Sequence, residues 1–209
     1  MGLAEIQRVL ARAYTDAAFR ERLLASPRRV GAELGLAAAD AEQLARLSAA
    51  QVKTFAGSLR AKRRNEAAKL LPHTVRALGN RFAALFDRHA QTYVPSGINK
   101  PREDALAFAN FLLCEGPREP GWLADLVRYE RTRIDAHGAR RVTWCRLRYA
   151  PESLIHAAAH AGEPPPRQPT LLVWYRPTPR GRLRHAEFAL PVVGRKHARA
   201  ALAGASKHG

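Results

Sequence analysis

The sequence predicts an α+β protein, in which an N-terminal all-α helical domain is followed by a small antiparallel β-sheet domain. Two observations lead to this prediction. Apolar residues recur at three- and four-residue steps through the first two thirds of the chain, which is the spacing of amphipathic helices. After that the period shortens to two, and β-branched and aromatic residues become frequent. We therefore expect a helical domain at 1–115, a linker and bridging helix at 116–140, a β domain at 141–193 and a basic, flexible tail at 194–209.

A series of short helices is predicted at the start of the chain. Asp16 is placed to cap the second helix, and Ser26-Pro27 puts a cap and a first-turn proline before the third. Gly35 suits the left-handed turn that ends the third helix. A fourth short helix, over 40–47, leads into the longest one.

The segment 48–71 has the longest uninterrupted helical pattern. Ser48 and Gln51 have the spacing of a capping box at its start, and Pro72 interrupts the pattern after its end. We expect a continuous helix over 75–93 to follow, antiparallel to 48–71 because the connection is short.

Basic side chains crowd the polar surface of this long helix, while Glu66 is its only acidic residue. They are Lys53, Arg60, Lys62, Arg63, Arg64 and Lys69. Lys62 has the i,i+4 spacing for an ion pair with Glu66, and an internal pair of Arg63 with Glu66 is an alternative. The basic face is thus either a solvated structural surface or a surface for an anionic partner.

The rest of the helical pattern is a helix opened by Pro101 and another over 122–134. The strand patterns at 170–176 and 182–190 flank the turn segment PTPRG, so they should form an antiparallel hairpin. With a strand at 141–149 they make a sheet of about three strands, roughly the minimum for an independently stable one. A helix over 151–161 and a stiff, extended connector over 163–169 join the first strand to the second.

Positive charge is the most unusual property of the composition. The formal net charge is +17, from 35 Lys+Arg against 18 Asp+Glu. Nearly all of it lies in 51–93, with nine basic and two acidic residues, and in 141–209, with twelve and three. Such charge favours nucleic acid, an acidic peptide or an acidic protein as partner, although a genomic bias towards Arg and Ala accounts for part of it.

The sequence also indicates where the protein works. Cys114 and Cys145 are its only cysteines, too few for a disulfide scaffold or a zinc site, which favours a reducing compartment. The N-terminus lacks the apolar region of a signal peptide, and no run of 18 apolar residues occurs. We expect a cytoplasmic protein that does not enter a membrane.

Motifs of catalysis are missing from the chain: it has no GxSxG, Gly-rich phosphate loop, dinucleotide fingerprint or CxxC. His156 and His160 have the i,i+4 spacing that can hold a metal, but no third ligand or general base accompanies them. We predict no catalytic residue, no metal and no cofactor. Trp144 and Trp174 would normally be core, while an exposed aromatic strand face can also read peptide or RNA.

Three stretches carry a resemblance to a known family: IQRVLARAYTDAAFRERLLASPRRVGAELGL, VKTFAGSLRAKRRNEAAKLLPHTVRALGNRFAALF and EDALAFANFLL. They resemble the N-terminal helical domain of partner proteins encoded beside multinuclear non-heme iron oxidases. That family includes the partner subunit of methanobactin biosynthesis, and one helical domain in it has been described as DNA-binding. The resemblance covers about the first 115 residues.

The resemblance implies a non-catalytic adaptor. Such partners form a heterodimer with the iron-dependent oxidase subunit and bind the leader of a ribosomal precursor peptide, which adds as a strand to the β domain. The oxidase supplies the iron and the chemistry.

On this interpretation the sheet is the candidate site, because an unpaired edge offers backbone hydrogen bonds and the arginines suit an acidic leader. The candidate peptide-binding residues are Arg146, Leu147, Arg148, Val173, Arg176, Arg182 and Arg184.

The alternative is a DNA-binding protein or transcriptional regulator that uses the basic helix 49–71. Its candidate residues are Arg60, Lys62, Arg63, Arg64 and Lys69. No recognition-helix signature and no aromatic RNA-binding motif accompanies them. A metal-dependent enzyme is a third, less favoured interpretation.

Overall fold

The computed structural model describes residues 2–138, 140–160, 164–178 and 181–191. Within them the chain forms ten helices and three strands, which confirms the predicted α+β class. It divides into two compact units, Met1–Gly116 and Pro117–Gly209. The tail predicted at 194–209 lies outside the described residues. No helix in the described part of the chain is long and apolar enough to cross a membrane.

The first unit is entirely helical in its described residues. Its helices are α1 Gly2–Thr15, α2 Ala17–Ala25, α3 Pro27–Glu33, α4 Ala38–Ala45, α5 Ala49–Leu70, α6 Pro72–Leu78, α7 Arg81–Thr92 and α8 Lys100–Glu115. The predicted caps are present: the Phe19 amide donates to Asp16 Oδ1 at 2.8 Å, and the Gln51 amide donates to Ser48 Oγ at 3.4 Å. Gly35 has the positive φ expected of it, 70°.

The continuous helix predicted over 75–93 is wrong. Gly79 ends α6 with a φ of 52°, and α7 begins at Arg81. Residues with a Cβ rarely adopt a positive φ, so a glycine here lets the chain turn where another residue would favour continuing the helix. The segment therefore forms two shorter helices, α6 and α7, in place of one continuous helix.

Aromatic rings form the core between α7 and α8. Phe86 and Phe108 are fully buried, with ring centroids 5.1 Å apart, and Phe82 lies 5.3 Å from Phe108. These separations and the steep angles between the rings are those of favourable edge-to-face pairs. A second apolar cluster is formed by residues of the first four helices, α1, α2, α3 and α4. Its buried members are Val9, Ala13, Phe19, Leu23, Val30 and Leu44.

A buried ion pair links α5 to α8. Arg63 donates from Nε and Nη2 to the two oxygens of Asp104, at 2.9 and 2.7 Å, and from Nη2 to the Tyr93 carbonyl at 2.8 Å. The exposed fraction of the side chain is 18% for Arg63 and 2% for Asp104. The internal partner of Arg63 is therefore Asp104, and Glu66 instead accepts from Lys69 at 2.7 Å, so both pairs predicted for Glu66 are wrong.

We expect Asp104→Asn to reduce the free energy of unfolding by about 3 kcal/mol, because it leaves the Arg63 guanidinium without a counter-charge in a largely dry site. Urea denaturation measures the loss. Asp87→Asn is the matched control. Asp87 is more exposed than Asp104 and its Oδ1 lies 3.4 Å from Arg64 Nη1, so this substitution should reduce the free energy of unfolding by less than about 1 kcal/mol. Equal losses in the two variants would contradict the structural importance of the buried pair.

His89 is buried against the same core. Its ring centroid lies 5.6 Å from that of Phe108 and 5.2 Å from that of Tyr93, and its Nε2 has no hydrogen-bond partner among the described residues. Burial lowers the pKa of His89, the nearby Asp104 carboxylate opposes this shift, and the Arg63 guanidinium adds to it. The fold therefore favours a neutral imidazole.

This predicts a loss of stability on acidification. Below the ordinary histidine pKa of about 6.5 the unfolded chain binds a proton that the folded chain resists, so stability falls until the pH reaches the lowered pKa of the folded state. His89→Phe keeps an aromatic ring and cannot titrate. As the pH is lowered from about 7 to 5, the parent should therefore lose more of its free energy of unfolding than this variant does. A constant difference over that range would show that His89 does not contribute.

The second unit contains α9 Leu123–Ala136, β1 Val142–Tyr149, α10 Pro151–Ala159, β2 Arg167–Tyr175 and β3 Arg184–Ala189. The three strands form an antiparallel sheet in the order β1-β2-β3. The sequence predicted α9 as a bridging helix within the segment 116–140. In the structure it packs against β1 and buries Leu126, Val127 and Ile134 in the second unit. β2 also begins three residues earlier than predicted, within the proline-rich connector, and the pairing shifts register between Leu147 and Tyr149.

Candidate functional site

The two faces of the sheet differ in how they are covered. Side chains alternate between the faces of a strand, and on the inner face they are buried: Cys145, Leu147, Tyr149, Thr170, Leu172 and Trp174. The helix α9 contributes to this side, where Tyr129 lies 6.1 Å from Trp174 between ring centroids. We call the opposite side the outer face.

The outer face is an apolar surface with arginines at its margins. The pairing register aligns its side chains in three rows: Val142, Tyr175 and Arg184; Trp144, Val173 and Ala186; Arg146, Leu171 and Phe188. The exposed fraction is 57% for Val142, 65% for Trp144 and 53% for Phe188. Arginines are the only charged residues in these three rows, so the surface favours an apolar partner with negative charge.

The backbone of β1 has one edge that pairs with β2 and one that does not. The Arg176 amide donates to the Arg141 carbonyl at 2.9 Å, so Arg141 faces β2. Because backbone groups alternate along an antiparallel strand, the amides and carbonyls of Val142, Trp144 and Arg146 point away from β2. We call these three residues the free edge of β1.

Asp125 closes the far end of this edge. Its Oδ2 accepts from the Arg148 backbone amide at 2.9 Å and from Arg148 Nε at 3.0 Å, and Arg148 Nη2 donates to the Gly121 carbonyl at 2.6 Å. The backbone amide of Arg148 thus points away from β2, as the alternation requires, and already has a partner. Arg148 therefore holds the start of α9 to the strand, which limits the part it can take in binding a ligand.

The other candidate residues on the sheet have different surroundings. Leu147 is buried in the core, and Val173 is half-buried at the centre of the outer face. Arg176 donates from Nη1 to the carbonyls of Ala136, Gly138 and Arg140 at 2.9 to 3.1 Å, which ties the end of α9 to the sheet. Arg146, Arg182 and Arg184 are exposed.

The candidate binding residues predicted from the sequence did not include three apolar residues of the outer face, Val142, Trp144 and Phe188, although Trp144 was considered as part of an exposed aromatic strand face. A signal existed for the first two, since they alternate in phase with Arg146 and Arg148, so the pattern already placed them on one face. Phe188 carried no comparable signal, because polar and apolar residues do not separate onto the two faces of β3: Arg184, Ala186 and Phe188 alternate with His185, Glu187 and Ala189.

The edge of β3 is less suited to an acidic ligand. Leu190 donates to the Pro169 carbonyl at 2.7 Å, so by alternation His185, Glu187 and Ala189 point away from β2. Glu187 lies 3.9 Å from His185, and its carboxylate would repel negative charge. The free edge of β1, in contrast, carries Arg146.

The basic helix has fewer available cations than its sequence suggests. Arg63 binds Asp104, Arg64 binds Asp87 at 3.4 Å, and Lys69 binds Glu66. Arg60 and Lys62 pair with no carboxylate of the described residues. Within the described residues, α5 therefore does not present the continuous basic surface that phosphate contacts along DNA would use.

The described residues contain no cluster of three or more His, Cys, Asp or Glu that could hold a metal ion. The rings of His156 and His160 lie 4.3 Å apart, and His160 Nδ1 is 3.2 Å from the His156 carbonyl. Burial raises the pKa of the Cys145 thiol, which disfavours the thiolate that a nucleophile needs.

Comparison with known proteins bears on the first unit. No curated protein matches the chain. Residues 45–113 match the family described as SCO6045-like, C-terminal domain. The part of the chain that is similar to this family thus runs from the basic helix α5 into α8 and includes the Arg63–Asp104 pair, while the sheet lies outside the match.

Proposed function

We propose that this protein is a non-catalytic adaptor that binds the leader of a ribosomal precursor peptide and presents it to a separate multinuclear iron-dependent oxidase. The observation that carries the proposal is the free edge of β1, which lies beside an apolar outer face with arginines at its margins. An extended peptide can add to such an edge as a fourth strand.

The free edge defines what the peptide must offer. Val142, Trp144 and Arg146 each present an amide and a carbonyl, and a strand paired with them would lie about 4.8 Å from β1. Its alternate side chains would lie on the outer face beside these three. A suitable leader therefore carries alternate residues that are apolar next to Val142 and Trp144 and acidic next to Arg146. The acidic residue is the last of the three in a strand parallel to β1 and the first in an antiparallel one.

Trp144 is the expected anchor of this interaction. Large aromatic side chains contribute most where binding removes them from water, and this indole is mostly exposed in the free protein. Arg146 would increase the association rate of an acidic leader and make it dependent on salt. Because Asp125 occupies the Arg148 amide, the added strand would end near Arg146, which sets its register.

The partner in this proposal is the oxidase, as a heterodimer with this chain. Its support is the resemblance of the first 115 residues to oxidase partner proteins. We also propose a cytoplasmic location, because Cys114 and Cys145 are both free thiols and a reducing compartment keeps them so. The DNA-binding alternative has weaker support, since three of its five candidate side chains are held in ion pairs.

Proline at the free edge tests backbone pairing. Arg146→Pro removes an outward amide without removing a donor of the β1–β2 ladder, whereas proline at Leu147 or Val173 would break the sheet's own pairing. Against the leader of the precursor encoded beside this protein, Arg146→Pro should bind about tenfold more weakly than Arg146→Ala, which loses only the charge. Fluorescence anisotropy measures the affinities, and circular dichroism shows whether each variant is folded.

Glu187→Pro is the matched control, since it makes the same change on the free edge of β3 and should leave binding unchanged. The proposal fails if folded Arg146→Pro and Arg146→Ala bind equally well. It also fails if only Glu187→Pro weakens binding.

A further inference from the structure

A buried arginine in the first unit has no counter-charge. Arg20, on α2, is only 7% exposed. Its Nη1 donates to the Ala13 carbonyl at 3.0 Å, and no carboxylate of the described residues forms an ion pair with it. A buried cation without an anionic partner is costly to the folded state. An anion bound beside Arg20 would offset this cost.

Arg20 lines a cleft together with two further arginines, Arg60 and Arg63. The cleft is formed by α1, α2, α5 and α7, and its polar lining consists of Tyr14, Thr15, Arg20, Arg60, Arg63 and Gln91. Arg60 is half-buried and pairs with no carboxylate in the described ranges. Arg63 uses Nε and Nη2 for Asp104 and Tyr93, which leaves Nη1 for another acceptor.

The charges at the cleft do not balance. Arg20, Arg60 and Arg63 contribute three positive charges, and Asp104 offsets one of them. The remaining two equal the charge of a phosphate dianion, and guanidinium groups are suited to its oxygens. Tyr14, Thr15 and Gln91 can add neutral hydrogen bonds. The cleft has internal room of only about 20 Å³, enough for a water-sized group, so a tetrahedral ion would lie at its solvent-open mouth with one or two oxygens directed inwards.

We infer that this cleft is a binding site for a tetrahedral dianion of the phosphate class, held by Arg20 and Arg60 with Arg63 as a third donor. The ion is either free phosphate or the phosphoryl group of a small ester. Binding would supply the missing counter-charge and fix α2 against α5. This inference is independent of the proposed function, because every residue in it belongs to the helical unit.

Thermal unfolding of the full chain tests the inference. In a phosphate-free buffer held at constant ionic strength with potassium chloride, added phosphate should raise the unfolding midpoint progressively, since a ligand of the folded state stabilises it. Glycerol phosphate is the second ligand. A comparable response to it would indicate a phosphoryl group as the ligand, and a response to phosphate alone would indicate the free ion.

Arg20→Met separates binding from a structural role. Without phosphate this variant should be at least as stable as the parent, because it replaces an uncompensated buried cation with an apolar chain, and it should lose the phosphate response. Arg60→Gln changes a less buried side chain and should weaken the apparent affinity for phosphate about tenfold. The exposed Arg76→Gln is the matched control and should respond as the parent does.

Two results would overturn the inference. One is a parent protein whose unfolding midpoint rises no more with phosphate than with chloride. The other is an undiminished phosphate response in Arg60→Gln, which remains informative if Arg20→Met does not fold.

Discussion

The organisation of the second unit depends on one constraint: among its described residues, helices cover only one face of the three-stranded sheet. The inner face is buried, so its hydrophobic side chains stabilise the sheet. Trp144 and Phe188 are exposed on the outer face, and the three outward backbone positions of the free edge of β1 have no backbone partner among the described residues. Soluble proteins seldom leave so much apolar surface and an accessible edge without a use for them. In the proposed adaptor, one bound peptide would pair with the free edge of β1 and place its alternate side chains on the outer face.

A second constraint operates in the first unit, where ion pairs consume much of the positive charge. Arg63 is committed to Asp104 across α5 and α8, so a residue that reads in sequence as part of a basic surface is a buried link between helices. Net charge alone therefore overstates the tendency of this chain to bind nucleic acid. Arg20, outside the basic helix, is instead a buried cation that forms no ion pair with a carboxylate of the described residues, and the sequence gives no indication of its burial.

The sequence predicted the fold class and the three strands from hydrophobic periodicity, and the helix caps at Asp16 and Ser48 from the polar residues themselves. These features depend on local residue patterns. Hydrophobic periodicity could not predict the break at Gly79, where one backbone angle overrides a continuous apolar stripe. It also could not separate the two tryptophans. Trp144 pairs with Val173 and Trp174 with Thr143, so the register places them on opposite faces, and register depends on strand pairing rather than on either strand alone.

The central claim is that a peptide pairs with the free edge of β1, and amide hydrogen exchange at single-residue resolution tests it most directly. In the free protein, the amides of Thr143 and Cys145 should already be protected, because both point towards β2, opposite Trp174 and Leu172. On addition of the leader, the account predicts new protection at Val142, Trp144 and Arg146 and little change in the edge amides of β3. Saturating leader that leaves those three amides exchanging at their original rates would contradict the account.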